Sequence, residues 1–121
     1  HTEACFAQLY RNQPLFGDLD RHLRSHGFAF LKFIYFGGHP FKPLAHRDGS
    51  SRHNQPLWCD VVYVRDYTML DGLAPGQLLK FAAILHENYD AVGLASAALG
   101  AYDRKSGTAL QAKYLDAAGP T

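Results

Sequence analysis

The 121 residues hold 12 Lys+Arg against 11 Asp+Glu, a formal net charge of +1 with neutral histidines. That balance excludes the basic excess of a protein that coats nucleic acid or a membrane surface, and the length suits one domain. Hydrophobic residues at 47%, with 8 Phe and 7 Tyr, suffice for a packed core, and no apolar run approaches the roughly 20 residues that span a bilayer.

Thr2 to Gln8 is short, apolar and partly aromatic without helical spacing, which predicts a buried strand. A charged-then-apolar leader is not expected for this chain. Leu9 to Phe16 carries Asn12 and Pro14 and reads as a loop. Gly17 to Gly27 is a compact helix: Asp18 suits its N-terminus, Leu19 and Leu23 share a face, and Gly27 stands where a left-handed residue ends a helix. Phe28 to Phe36, dense in aromatics, is the second strand. Gly37 to Pro56 is a long polar loop, and Leu57 to Arg65 is the third strand.

Asp66 to Pro75 reads as a linker, and only helices follow. Gln77 to Asn88 sets Leu78, Phe81, Ala82 and Leu85 on one stripe. Asp90 is placed to cap the next helix, whose Ala91, Leu94, Ala95, Ala98 and Tyr102 form a small-residue face. Thr108 to Ala118 is a weaker third helix, with Leu110, Tyr114 and Ala117 aligned.

Two strands joined by a loop alone pair antiparallel, so the second and third strands are expected to form a hairpin. All three strands read as apolar on both faces, which implies cover on both sides. The helical tail covers one side at most, so the expectation is that part of the sheet lies before residue 1. Cys5 and Cys59, each inside an apolar run, read as buried free thiols of a reducing, cytoplasmic setting.

Most motifs dissolve on inspection. His46-Arg47-Asp48 suggests a kinase catalytic loop, but the fifth residue after Asp48 is His53 rather than Asn. Ser50 and Ser51 lie near Asp48 and His53 without the strained turn that presents a hydrolase nucleophile. Gly37-Gly38 lacks the spacing of a phosphate loop. His22 and His26 stand one helical turn apart and could share a metal with a third ligand, but no Glu accompanies them in the zinc-protease manner, so they and the loop histidines read as solvated. Glu3 is sharper. A carboxylate in an apolar strand is costly unless paired, solvated or beside a polar cleft, and the end of a parallel strand is where open α/β sheets bind ligands. Asp60 raises the same question, with Tyr63 or a backbone group expected as its partner.

The order of pieces resembles the C-terminal part of FkbM-type methyltransferases. The resemblance rests on His1-Thr2-Glu3, Leu9-Tyr10, Gln13-Pro14-Leu15-Phe16 and Asp18-Leu19-Asp20. It continues through Leu23-Arg24, His26-Gly27-Phe28, Leu57-Trp58, Asp60 and Val64-Arg65-Asp66. It covers residues 1–66 and, more loosely, Gln77 to Ala101. It implies an α/β fold: the end of a doubly wound class I sheet (strand, helix, antiparallel strand pair) followed by a helical extension over residues 67–121. It also implies S-adenosylmethionine as methyl donor, although the family's glycine-rich loop and acidic cofactor residues are not in this chain. On that reading the chain is a C-terminal fragment, inactive alone, of an enzyme that methylates an oxygen of a small molecule, sugar or lipid. Glu3 is the catalytic candidate, Tyr10, Asn12, Gln13 and His46 the substrate-binding ones. A competing reading is a non-enzymatic assembly module with a helical-hairpin tail. Either way, self-association through the first strand or the tail is expected, and neither nucleic acid nor a membrane is a partner.

Overall fold

The computed structural model describes residues 1–44 and 53–119. Its elements are β1 (Thr2–Cys5), α1 (Phe16–Ser25), β2 (Phe28–His39), β3 (Gln55–Arg65), a 3-10 helix (Tyr67–Gly72), α2 (Pro75–Tyr89), α3 (Val92–Ser106) and α4 (Leu110–Ala118). They form two compact units, His1–Asp66 and Tyr67–Thr121. Among the described residues no helix is long and apolar enough to cross a membrane.

The first unit is a three-stranded sheet in the order β1-β3-β2, with β3 antiparallel to both neighbours. The expected hairpin of β2 and β3 is therefore present. β1 and β2 run parallel to each other with β3 between them, linked through α1. β1 is shorter than its apolar run suggests. Phe6 donates the last ladder bond to the Leu57 carbonyl at 2.8 Å, and the chain then turns away from the sheet. The Phe6 ring goes into the core, with ring centres 5.9 Å from Phe16 and 6.2 Å from both Phe33 and Phe36. β2 and β3 both extend further than expected, since Gly38 pairs with Pro56 and His39 with Gln55.

The apparent two-faced apolar pattern of β2 has a different origin. In a regular strand Phe30, Phe33 and Phe36 would alternate between faces. The register slips once between Phe30 and Lys32 and again between Phe33 and Tyr35, leaving Leu31 and Ile34 as extra residues. Each bulge re-phases the strand. Phe30, Phe33 and Phe36 thus sit opposite Tyr63, Val61 and Cys59 on one face, with ring centres 4.9 and 5.0 Å apart. Each such aromatic pair contributes about 0.5–1.5 kcal/mol beyond its buried area. Ala4, Cys59 and Val61 form the buried centre of this face, and Phe16 and Leu19 of α1 pack onto it. Val62, Val64 and Ala29 are buried on the opposite face.

Helix α1 begins where the Asp18 carboxylate accepts the Leu15 N–H at 2.9 Å. It ends at Gly27, whose φ of +84° only glycine adopts freely. The Gly27 carbonyl then accepts the Asp66 N–H at 2.9 Å, tying the helix exit to the end of β3. A second tie is the Tyr63 hydroxyl, which donates to Asp20 on α1 at 2.5 Å. This corrects the expected Asp60–Tyr63 pairing: residues three apart in this regular part of β3 point to opposite faces. Tyr63 looks toward α1. Asp60 looks the other way, with His1 Nε2 at 3.6 Å.

In the second unit, Leu78, Phe81, Ala82 and Leu85 of α2 are buried, the stripe the spacing predicts. Asp90 does not cap α3. It ends α2 in the left-handed conformation (φ +51°), and the following Ala91 N–H reaches back to the Leu85 carbonyl at 3.0 Å. Asp tolerates this conformation through its short polar side chain, and the backbone bond satisfies a helix-end carbonyl. The expected linker contains the 3-10 helix, broken at Met69. Ala95, Ala98, Leu99, Gly100 and Ala101 of α3 are buried, and a Cβ on Gly100 would come within 2.9 Å of Gln111 on α4. The cap of α4 is supplied from a distance. Asp103 accepts the Thr108 hydroxyl and the Leu110 and Gln111 N–H groups, and the Thr108 bond above all holds its carboxyl below the usual range. No residue of α4 is buried, and Tyr114 instead meets His86 Nδ1 through its hydroxyl at 2.9 Å.

Gly38→Ala and Tyr63→Phe test the first unit, with Gly72→Ala as a control. A Cβ at Gly38 would fall 1.8 Å from the Gln55 carbonyl oxygen, whereas one at Gly72 meets nothing within 4 Å. Gly38→Ala is expected to cost about 1–3 kcal/mol in urea unfolding, and Gly72→Ala less than about 0.5 kcal/mol. Tyr63→Phe removes a hydrogen bond to a charged group and should cost roughly 1–3 kcal/mol. The Tyr63 hydroxyl is the main reason that the Asp20 carboxyl titrates low. Its stabilisation is present above the unfolded carboxylate range and lost as pH falls through the folded value. Burial, and then Asp20, raise the Tyr63 phenol. That stabilisation is whole below about pH 10 and lost as pH climbs from there through the folded value. Stability measured against pH should therefore flatten at both ends in the Phe variant.

Candidate functional site

Because β1 and β2 are parallel and β3 opposes both, one end of the sheet collects the carboxyl ends of β1 and β2 and the start of β3. Residues 6–15 leave from that end after β1, β2 ends there and β3 begins there. This is the end where open α/β sheets place ligands.

A cavity of about 310 Å³ lies there against β1, lined by Glu3, Cys5, Tyr10, Gln13, Leu15 and Leu19 among others. The strand presents its unpaired edge to this space. Since Phe6 bonds to Leu57, the alternation of an antiparallel ladder turns the main-chain groups of Glu3 and Cys5 away from β3. Glu3 is exposed and stands opposite Asp60.

The loop that closes the cavity is built around Gln13, which is only 8% exposed. Its Oε1 accepts the Leu9 N–H at 2.8 Å, its Nε2 donates to Cys5 Sγ at 2.8 Å, and its carbonyl accepts Gln8 Nε2 at 3.2 Å. Its own N–H bonds the Tyr10 carbonyl at 3.3 Å, closing a four-residue turn in which Asn12 takes φ +61°. Asn tolerates that conformation better than most residues. So Asn12 shapes the turn and does not line the cavity, Gln13 holds the loop with its amide, and Tyr10, 65% exposed, stands at the rim. His46 lies outside the described residues, as do the Asp48, Ser50 and Ser51 considered with it.

Sequence reasoning missed Cys5, Leu15 and Leu19 as lining residues. It took Cys5 for core packing alone, and the thiol is indeed buried and free. The two thiols cannot meet: Cys5 pairs with Trp58 and Cys59 with Ala4, which sets them on opposite faces of the sheet. Burial, before any other cause, pushes the Cys59 thiol up. Two smaller hollows flank the sheet. One of about 240 Å³ sits by Gly37, Gly38 and Pro56, beside the Trp58 indole that crosses Gly37. The other, about 270 Å³, lies between Phe16, Phe30 and Phe33 and the Asp20–Arg24 ion pair. Among the described residues no group of three or more His, Cys, Asp or Glu is placed to hold a metal.

Gln13→Ala tests how the cavity is held. It strands the Leu9 N–H and uncovers Cys5, so it should cost about 1–3 kcal/mol. It should also speed Cys5 labelling by a thiol reagent while leaving Cys59 slow, as peptide mass spectrometry after timed labelling would read.

Comparison with protein-family models, with curated proteins and with solved structures finds no match to this chain.

Proposed function

We propose that the first unit is the acceptor-binding end of an adenosylmethionine-dependent methyltransferase acting on an oxygen of a small molecule, sugar or lipid. The observation that carries this reading is the cavity against β1, whose lining includes Glu3 and Tyr10 together with Leu15 and Leu19. The parallel pair β1 and β2, linked through a helix and separated by an antiparallel strand, is compatible with the end of a doubly wound sheet.

The residues present do not fit the methyl donor itself. No glycine stands between the end of β1 and Gly17, so the turn after β1 cannot wrap closely around a nucleoside. The polar lining of the cavity includes one carboxylate, one phenol and an amide already engaged in the loop. The chain's own contribution is on the acceptor side. Leu15 and Leu19 bury the acceptor's apolar part, Tyr10 orients its polar part at the rim, and Glu3 takes the hydroxyl proton.

A second reading, an assembly module without enzymatic activity, draws on a different surface. Ile34, Tyr35 and Phe36 are 47%, 57% and 49% exposed on β2, an edge strand. Contiguous exposed apolar residues on an edge favour association.

The coding DNA upstream of His1 separates the two. The methyltransferase reading expects an open frame encoding further strands and a glycine-rich turn. In the protein that includes that segment, Glu3→Gln should lower kcat about 10²–10⁴-fold with donor KM unchanged. The 121-residue chain alone should give no calorimetric heat with adenosylmethionine. An upstream frame without such a turn, or unchanged kcat in the Gln variant, would sink the reading.

A further inference from the structure

We propose that His22 and His26 form a two-histidine chelate for a divalent cation of the zinc, nickel and copper class. The inference rests on α1 and is independent of the acceptor cavity.

The two residues are one helical turn apart, and their ring centres lie 4.5 Å from each other. Two imidazoles sharing one ion, each through a nitrogen at about 2.0–2.1 Å, have ring centres about 5 Å apart. The spacing is thus close to that of a chelating pair before any ion arrives.

In its neutral form the His26 ring has the tautomer a metal needs. Its Nδ1 lies 2.8 Å from the His22 carbonyl oxygen. A carbonyl only accepts, so Nδ1 carries the proton and Nε2 keeps its lone pair in the neutral ring. A ring N–H held by a backbone carbonyl is the support that orients metal-binding histidines and sets their tautomer. Ser25 Oγ donates to the same carbonyl at 2.6 Å and lies 3.1 Å from Nδ1, so this side of the ring is held twice.

The surroundings also suit a cation. His26 is the C-terminal cap of α1, where the helix dipole favours positive charge. The nearby Arg24 guanidinium is drawn to Asp20 at 2.9 Å. Both histidines are exposed, so water completes the coordination shell. Imidazole nitrogens select borderline transition ions over calcium and magnesium, which prefer oxygen.

The test is a titration of the full chain with nickel chloride at neutral pH, followed by calorimetry and by NMR of the histidine rings. A His1→Ser background removes the exposed His1 imidazole, which lies beside Asp60, as a competing ligand. The His22 and His26 ring signals should broaden first. His22→Gln and His26→Gln should each weaken the tightest site roughly 10-fold or more, and the double variant should lose no more than either alone. Calcium chloride should leave both rings unchanged. Broadening that begins at His39, His46, His53 or His86 overturns the proposal. So do single variants that keep the tight site, or a double variant whose loss is the sum of two independent ones. The NMR result comes from intact α1 and stands whether or not the Gln variants fold as well.

Discussion

The pairing of β3 along both its edges is the constraint on which the first unit depends. A strand with neighbours on each side gives up its main chain to the ladder, and its side chains must then be acceptable on both faces. β3 meets that demand with Cys59 and Val61 on one face and Val62 and Val64 on the other, none more than 8% exposed. Its central place has a geometric consequence. Both neighbours run opposite to it, so β1 and β2 are parallel although they are not neighbours in the sheet. Parallel strands need a crossover rather than a tight turn, and residues 6–27 supply one with α1 inside it. The gathering of two strand ends and the start of β3 at one end of the sheet follows from this single pairing choice.

The crossover must also be held down. Three interactions do so by different chemistry. Phe16 and Leu19 pack on the aromatic row of β2, which exists only because two bulges turn Phe30, Phe33 and Phe36 to one side. The Gly27 carbonyl is bonded by Asp66 at the far end of β3. Tyr63 bonds Asp20, itself bonded by Arg24 at 2.9 Å. The last of these is directional where the first is not. It fixes which turn of α1 lies over β3, while the aromatic packing supplies the larger apolar share.

The sequence was legible where one period governed burial. The stripe on α2 needs only the 3.6-residue repeat, and its four residues are all buried. Gly27 could be placed because left-handed helix ends favour a residue without a Cβ. Legibility failed where the period itself changed. The bulges of β2 imitate a strand apolar on both faces, and nothing local in Leu31 or Ile34 announces that each is the extra residue. Asp90 was ambiguous for a related reason: the same side chain suits a helix start and a left-handed helix end. The second role won because the backbone turns sharply there, with the Ala91 N–H returned to Leu85. Asp60 and Tyr63 failed through parity, since a pair close in sequence was divided by the pleat.

The site shows the same division between what a residue is and where its hydrogen bonds go. Gln13 reads in the sequence as a polar loop residue free to meet a ligand, yet its amide is engaged at both ends by Leu9 and Cys5. A buried amide committed in this way gives up ligand contact in return for a fixed loop. That leaves the cavity with few uncommitted polar groups: the Glu3 carboxylate, the Tyr10 hydroxyl and the outward main chain of β1. A site so furnished has little means of stabilising spread charge. Under the proposed function, the cavity holds an apolar body against Leu15 and Leu19 while one oxygen is turned toward Glu3. Specificity in such a site rests on the fit of that body, and fit depends on the loop that Gln13 keeps in place.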